Sequence, residues 1–287
     1  MSGILASMLD GVLVGAVYGL AAIGLTLIWG VMDVINLTHG AMITMGMFGL
    51  YLLFSQFGLN PYVALVPVAA LGFAVGVVVY WGAVHRVISR PPLMSLLATF
   101  SVNLMLVGAG TIAWSTSPYN VDWSVPGLSL GAYTFTGAHL VAAAAAVVIA
   151  GGLSLFLRRT RAGKAIRAVA SNRKAAELMG IPSSRVLAQA FGIGIAIATT
   201  AGALIGTLFP FTVLSGNGYE LKSFVVTVLG GLGNPGGALA GGILLGLIEG
   251  GVTPFIQVSW IPVIEFALFV LILIAFPNGL FVRRPRG

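Results

Sequence analysis

Long uncharged apolar stretches recur along the whole chain, separated by short polar connections. A helix of about 20 apolar residues crosses the hydrocarbon core of a bilayer, and the pattern predicts eight such spans. Their predicted bounds are 8–30, 41–57, 62–84, 93–113, 139–157, 186–208, 236–254 and 259–278. Strands are disfavoured, because runs such as LVAAAAAVVIAGGLSLFL do not alternate apolar and polar positions. The predicted fold is therefore an all-α, polytopic membrane helical bundle.

The basic residues indicate how the spans are oriented. Membrane proteins concentrate Lys and Arg in cytoplasmic loops. Three groups are therefore predicted to be cytoplasmic: Arg86 with Arg90, the segment from Arg158 to Arg185, and Arg283, Arg284 and Arg286. The intervening loop SPYNVDWSVPGLSLGAYTFTG has no basic residue and is predicted to be external. Three spans are predicted before Arg86, and this odd number places the N-terminus outside as well.

An odd number of spans separates the second basic group from the third, although both groups are predicted on the same side. One more crossing is needed. The best candidate is KSFVVTVLGGLGNPGG, residues 222–237, a short apolar segment broken by Gly and Pro, which could form a half-helix or re-entrant segment. Its glycine-dense part, 228–242, could be an element of a transport pathway or a tight turn.

Composition excludes several classes of protein. Only 7% of the 287 residues are charged and 58% are hydrophobic, which is too apolar for a water-soluble surface and favours a single transmembrane domain over 1–287. The first apolar run has no basic residue before it and is predicted to be a retained span. The chain has no cysteine, which excludes disulfides and thiolate sites.

The net charge of the chain is +7. The Lys and Arg residues of the cytoplasmic loops explain this charge, so no nucleic-acid partner is expected.

Much of the glycine recurs every fourth residue. Such spacing places a smooth stripe on one helical face and favours close packing of neighbouring helices. The stripes are Gly11, Gly15 and Gly19; Gly72 and Gly76; Gly202 and Gly206; and Gly242, Gly246 and Gly250.

The only sizeable polar segment is LRRTRAGKAIRAVASNRKAAELMGIPSSR, residues 157–185. Good helix formers followed by Gly180 and Pro182 predict one short helix from Ala162 to Gly180. Apolar residues among the charges favour docking onto a soluble partner. The alternative is an ordinary positively charged cytoplasmic loop.

The segment VMDVINLTHGAMITMG, residues 31–46, interrupts two apolar runs with Asp33, Asn36, Thr38 and His39. Polar groups and irregular backbone at membrane depth are tolerated where they line a cavity or are buried in protein. The segment is therefore a candidate for the transport pathway. An interfacial turn is the alternative.

Glu249 and Glu265 lie within or near apolar runs. A carboxylate there must find a partner, reach water or be protonated. Both could form a proton relay, or Glu249 could lie at a helix end and Glu265 near enough to the surface to reach solvent. The chain has no GxxxxGK[ST] loop and no HExxH pair, so we expect no catalytic residue, no metal site and no ATP hydrolysis by this chain alone.

Three motifs together carry a family resemblance. GVMDVINLTHGAMITMG resembles the G-(apolar)-x-x-(apolar)-I-N-F-A-H-G signature of the permease subunits of branched-chain amino-acid ABC transporters. TRAGKAIRAVASNRKAAELMGI is similar to that family's cytoplasmic coupling segment, and VLGGLGNPGGALAGGILLGLIEG to its glycine-rich penultimate region. The matches keep the family's order and spacing over nearly the whole chain.

The resemblance implies a permease subunit of an importer in the bacterial inner membrane. Its implied partners are two ATP-binding subunits, which would bind the ATP, an extracytoplasmic binding protein, and a second permease, more often a longer paralogue than a second copy. It implies a translocation path near Asn36, Thr38, His39 and Gly40. It implies ATPase coupling through Gly163, Lys164, Arg167, Ala168, Ala175, Ala176 and Gly180.

The sequence departs from the family pattern in the first motif. Leu37-Thr38 replaces the commoner Phe-Ala, and Ala41 stands where many members have an acidic residue. Related permeases also serve urea, short amides and other amino acids, so the motif indicates a substrate class only.

Three other functions are compatible with a bundle of this composition. A secondary carrier would use Glu249, Glu265 or Asp33 as its ion-coupling group and would need no ATPase. A passive channel would use the NLTHG segment as its constriction. A membrane enzyme is the third, and the sequence offers it no site.

Overall fold

A computed structural model describes residues 2–130, 133–276 and 279–281. It is an α-helical bundle with one short β-hairpin. The helices are α1 Ser2–Met32, α2 His39–Phe57, α3 Pro61–Val79, a π-helical turn Tyr80–Val84, α4 His85–Val87, α5 Pro92–Trp114, α6 Gly137–Arg159, α7 Arg161–Ser171, α8 Arg173–Leu178, α9 Ser183–Gly206, α10 Ser215–Gly230, α11 Pro235–Val252, a 3-10 turn Val258–Trp260 and α12 Ile261–Ala275. Strands β1 Leu128–Leu130 and β2 Tyr133–Phe135 pair antiparallel.

The predicted bundle is confirmed, and every predicted span coincides with a helix. Among the described residues, seven helices are long and apolar enough to cross a membrane. The eighth predicted span corresponds to α12, whose 15 helical residues are fewer than a full crossing uses. The predicted half-helix corresponds to α10, which begins at Ser215, seven residues before the predicted Lys222, and ends at Gly230.

Glycine stripes bring α1 and α11 into backbone contact, as the spacing predicted. A Cβ on Gly15 would lie 2.5 Å from the carbonyl oxygen of Gly242, and one on Gly11 would lie 3.0 Å from the Cα of Gly250. Only residues without a side chain permit this approach. The α1–α11 pair is the most extensive helix contact in the bundle.

Contacts between helix ends fix the relative direction of the spans. Asp10, near the start of α1, lies 2.5 Å from Nδ1 of His139, near the start of α6, so the start of α1 and the 115–136 loop share one side. Gly30, near the other end of α1, packs on Gly233 in the α10–α11 turn. These contacts agree with an N-terminus on the side of the loop predicted to be external. The basic group Arg283, Arg284 and Arg286 lies outside the described residues.

The turn between α10 and α11 settles the role of the glycine-dense segment. Gly231 and Gly233 have φ of 91° and 77°, and the side chain of Asn234 accepts a hydrogen bond from the backbone of Gly237 at the start of α11. The interpretation of a tight turn is therefore confirmed for the residues that follow Gly230. Gly237 and Gly241 of α11 pack beside Gly230 and Val226 of α10, so the two helices run antiparallel and α10 is in place for the extra crossing. Its 16 residues, like the 15 of α12, are fewer than a full crossing uses.

The predicted single helix from Ala162 to Gly180 is wrong in one respect, because the segment forms two helices. Asn172 leaves the helical conformation with φ of −157° and ψ of 103°, and its side chain accepts a hydrogen bond from Ala175 N to start α8. An Asn that caps a new helix competes with continuation of the old one. The predicted termination at Gly180 is confirmed by its φ of 81°.

Candidate functional site

The chain leaves the helical conformation between α1 and α2 and turns back into the bundle. Asp33, with φ of 53°, makes the sharp bend at the end of α1 and is exposed. Asn36, Thr38 and His39 are fully enclosed. The segment is therefore a polar junction buried in the protein rather than a turn at its surface, and it brings Asn36, Thr38 and His39 together with the fourth pathway candidate, Gly40.

Local hydrogen bonds shape this junction, and α5 braces it. The side-chain oxygen of Asn36 accepts from the hydroxyl of Thr38 at 2.5 Å and from its backbone N–H at 3.2 Å. The hydroxyl of Thr99 accepts from Leu37 N at 3.2 Å and lies 3.1 Å from Ile35 O, to which it can donate. Backbone groups that no helix satisfies are thus paired by side chains, as an apolar environment requires.

His39 anchors the start of α2 to the interior of α1. Its Nε2 lies 3.1 Å from the backbone oxygen of Ala21. A carbonyl only accepts, so Nε2 carries the proton and Nδ1 of the neutral ring is an acceptor. Within the described residues Nδ1 is buried without a hydrogen-bond partner.

Helices α2 and α10 cross at their first turns with no side chain between them. A Cβ on Gly40 would lie 2.6 Å from Gly216 O and 2.7 Å from Oε2 of Glu220. Thr44 stands one α2 turn from Gly40 and contacts Gly216. Glu220 and Thr44 are at least nine-tenths buried, and Oε1 of Glu220 and the hydroxyl of Thr44 lack a partner among the described residues.

The two predicted intramembrane acids lie together elsewhere, around Lys222. Nζ of Lys222 lies 2.9 Å from Oε2 of Glu249, forms a second ion pair with Glu265, and stands 4.8 Å from the ring centroid of Tyr18. These side chains are 10–21% exposed. Each carboxylate has thus found a basic partner, one of the outcomes that the sequence left open. Glu249 lies in the last turn of α11, as the alternative to a proton relay expected, whereas Glu265 is buried and does not reach solvent.

The residues predicted to couple this chain to the ATPase fall into a buried group and an exposed group. Gly163 packs against Phe156 and Leu157 at the end of α6, Ala176 is buried, and Ala168 is partly buried. Lys164, Arg167, Ala175 and Gly180 are exposed. Only the second group is available to a partner, so Gly163 and Ala176 hold the element onto the bundle instead.

The turn from α8 into α9 is closed by a charged cluster. Glu177 accepts from the hydroxyl of Ser183 and from Nε of Arg173, the latter at 3.3 Å. The Ser183 hydrogen bond, and after it the Arg173 guanidinium, hold the pKa of Glu177 below its usual value. Beyond this cluster Leu178 and Met179 are 89% and 83% exposed.

Sequence reasoning missed Glu220 and Thr99 and left Lys222 unexplained. Glu220 lies beside Ser215–Asn217 and resembles any polar residue near a loop. Its proximity to Gly40 arises from a contact across 180 positions of sequence. Lys222 carried a signal, because it was the one basic residue outside the three basic groups and two intramembrane acids lacked a partner.

The whole chain is similar to known permeases. The family described as branched-chain amino acid transport system / permease component matches residues 7–275. The high-affinity branched-chain amino acid transport system permease proteins LivH of Escherichia coli K12 and BraD of Pseudomonas aeruginosa are each 29% identical, over 97% of this chain and 96% of theirs. The ribose import permease protein RbsC of Escherichia coli K12 is 26% identical over 76% of this chain and 70% of its own. The chain therefore belongs to the family of permease components of branched-chain amino acid transport systems, and it is a multi-pass membrane permease.

Proposed function

We propose that this chain is the permease subunit of an inner-membrane ABC importer for amino acids, with branched-chain amino acids as the first candidates. An extracytoplasmic binding protein would deliver the substrate, and two separate subunits would bind and hydrolyse ATP. A paralogous permease is favoured over a second copy as the other half of the pathway. This chain would contribute no catalytic residue, no metal and no cofactor of its own.

The observation that carries the coupling role is the exposed tip of α8. Leu178 and Met179 are more than four-fifths exposed and lie outside the spans, on the side predicted to be cytoplasmic. Exposed Lys174 and Arg167 lie on the same α7–α8 element. Exposed apolar side chains flanked by basic residues are suited to bind an apolar groove with acidic residues at its edge on a soluble partner. The proposed pathway lies at Asn36, Thr38, His39 and Gly40.

The relatives support the substrate class. LivH and BraD carry branched-chain amino acid transport in their names and match this chain nearly end to end. A cavity of about 390 Å³ between α2, α3, α5 and α9 has an almost wholly apolar lining, which suits the passage of an apolar side chain. The ion-coupled carrier is disfavoured, because Glu249 and Glu265 are paired with Lys222 instead of standing free for a coupling ion.

The test is uptake of radiolabelled leucine into proteoliposomes that contain this chain, its sister permease, the ATPase subunits and the binding protein. We expect uptake that requires ATP and every partner. Uptake by this chain alone, down a gradient or driven by an ion gradient, would overturn the proposal and favour a channel or a carrier.

A matched pair of variants tests the coupling surface. Leu178→Asp should prevent co-purification of the ATPase subunits with the permease, because a carboxylate replaces the exposed apolar side chain at the tip. Leu128→Asp changes the same residue type on the opposite side, where Leu128 is 52% exposed, and should leave this co-purification intact. Equal behaviour of the two variants would exclude this tip as the docking point.

A further inference from the structure

The α2–α10 crossing joins two helix starts inside the bundle. His39 packs on Ala21, and Tyr219 of α10 packs on Tyr18 with ring centroids 6.1 Å apart, so both helices begin beside the interior of α1. Interrupted helices that begin at membrane depth are a recurrent setting for substrate and ion sites in transporters. Gly40 and Gly216 bring the two backbones into contact, and the side chains of Glu220 and Thr44 lie directly beside this contact.

Four buried polar atoms around this crossing have no hydrogen-bond partner among the described residues. They are Oε1 of Glu220, Nδ1 of His39, the hydroxyl of Thr44 and Nδ2 of Asn36, all on side chains at least nine-tenths buried. A buried polar group without a partner is unfavourable. Two of these side chains, Glu220 and Thr44, flank the Gly40–Gly216 contact directly, which marks the crossing as a place where a ligand would complete the bonding.

The chemistry of these atoms favours a cationic nitrogen. Glu220 brings a carboxylate oxygen and His39 an acceptor lone pair, since its proton is on Nε2. Thr44 can accept as well as donate. Asn36 Nδ2 is the one obligate donor and suits a carboxylate. One carboxylate, further acceptors and one donor match the ammonium and carboxylate of an α-amino acid.

No cation of the protein occupies this position in the described part of the chain. Lys222 is only two residues from Glu220, but its Nζ is held by Glu249 and Glu265 on the other side of α10. The carboxylate of Glu220 instead faces the start of α2, beside Gly40. A bound ammonium would supply the charge that the protein itself does not.

We infer that the crossing of α2 and α10 is a binding point for the ammonium group of the passing amino acid, with Glu220 as its principal acceptor. The inference rests on the proposed function and names one substrate-contacting residue within it. Because Gly40 and Gly216 are in backbone contact, the ammonium reaches Glu220 only when α10 moves away from α2. The binding point is therefore filled during turnover.

The first test compares Glu220→Gln with Glu249→Gln in the complete reconstituted importer. Loss of a charge-assisted hydrogen bond to the substrate should lower leucine uptake by Glu220→Gln by about tenfold or more. Stimulation of the ATPase by loaded binding protein should persist. Glu249→Gln removes an intramembrane carboxylate of the same kind but leaves Lys222 paired with Glu265, so no buried charge loses its last partner. Uptake should therefore stay within about twofold of the wild type. Equal uptake by both variants would overturn the inference.

The second test does not depend on the assembly of the Gln variant. The chain has no cysteine, so Thr44→Cys places a single thiol beside the crossing. During turnover, cationic aminoethyl methanethiosulfonate should modify this position about tenfold faster than the anionic sulfonatoethyl reagent, because an acceptor site attracts a cation. Leucine should slow the reaction. Equal rates, or no reaction during turnover, would exclude an ammonium site here.

The proposed function and the role of Glu220 can each be wrong without the other. If the wild-type assembly imports no amino acid, the proposed function is wrong whatever Glu220 does. If the wild type imports leucine and Glu220→Gln does so equally well, only the assignment of Glu220 fails.

Discussion

Nζ of Lys222 lies 2.9 Å from Oε2 of Glu249, so one cation on α10 holds a carboxylate on α11 while it also pairs with Glu265 on α12. Lys222→Met would leave two carboxylates without a partner. We expect a loss of about 3 kcal/mol in the free energy of unfolding, because removal of one member of a buried ion pair leaves the other uncompensated. Thermal unfolding of the detergent-solubilised protein, followed by tryptophan fluorescence, measures this loss.

The control removes all three charges together. Lys222→Met combined with Glu249→Gln and Glu265→Gln should regain most of the stability, because neutral groups of similar size avoid the desolvation of charge. The triple variant should also still import in the complete assembly. If the triple variant is as stable as the wild type but no longer imports, Glu249 and Glu265 would instead be assigned to ion coupling.

The α1–α11 contact gives a second prediction. Gly15→Ala places a methyl group 2.5 Å from the carbonyl oxygen of Gly242, and backbone cannot yield as a flexible side chain does. Overpacking of this kind costs about 1–3 kcal/mol, so the midpoint of thermal unfolding should fall. Gly151→Ala is the matched control, since nothing lies within 4 Å of a Cβ there and the residue is in the middle of α6. Gly151→Ala should leave the midpoint unchanged or raise it, because Ala favours a helix more than Gly does. A fall of equal size in both variants would show that the contact with Gly242 does not decide the result.

The turn between α8 and α9 should depend on pH through Glu177. Its pKa is lowered in the folded state by Ser183 and Arg173, so the carboxylate stabilises the turn above the ordinary pKa of 4.5 and loses this effect as the pH falls through the lower folded value. Hydrogen exchange over 176–184, corrected for intrinsic rates, should therefore rise on acidification below that range. Glu177→Gln should exchange faster at neutral pH and lose this acid dependence. An unchanged profile in the variant would mean that the Ser183 contact does not hold the turn.

Local patterns carried the prediction of the spans and of the tight turn. An apolar run of about 20 residues has one stable solution in a bilayer, and Gly231, Gly233 and Pro235 stop one helix and start the next. The glycine stripes predicted which faces would pack closely. They did not indicate that the stripe of Gly15 would meet that of Gly242, because pairing between helices depends on the whole bundle.

The candidate site was predictable only in part. Asn36, Thr38 and His39 stood out as polar residues between apolar runs, and the structure brings them together in one buried junction. Glu220 and Thr99 contribute across 180 and about 60 positions of sequence, and such contacts leave no local signal. Asn172 did carry a signal, as a favoured capping residue in the middle of a predicted helix, and it marks where that helix divides.

The hydrogen bonds from Thr99 of α5 to the junction give a final prediction. It compares this hydroxyl, which contacts the junction, with one on the same helix that does not. Thr99→Val keeps the shape of a fully buried side chain but removes the oxygen that accepts from Leu37 N and lies in reach of Ile35 O. Leu37 N would then lack a partner inside the bundle, at a cost of about 1–3 kcal/mol, and Ile35 O would lose a hydroxyl proton that it shares with Leu96 O. Because Asn36 and His39 directly follow this backbone, leucine uptake by the complete assembly should fall together with thermal stability.

Thr111→Val is the matched control on the same helix, since that hydroxyl is exposed and, within the described part of the chain, donates its hydrogen bond to Val107 O of its own helix at 2.8 Å. It should change neither uptake nor the unfolding midpoint beyond the scatter of surface substitutions. If Thr99→Val lowers stability but spares uptake, the 33–38 segment serves the fold alone and the transport path must be sought on another face of α2. If both properties fall together, the position of the irregular backbone, which Thr99 sets from α5, is part of the transport mechanism.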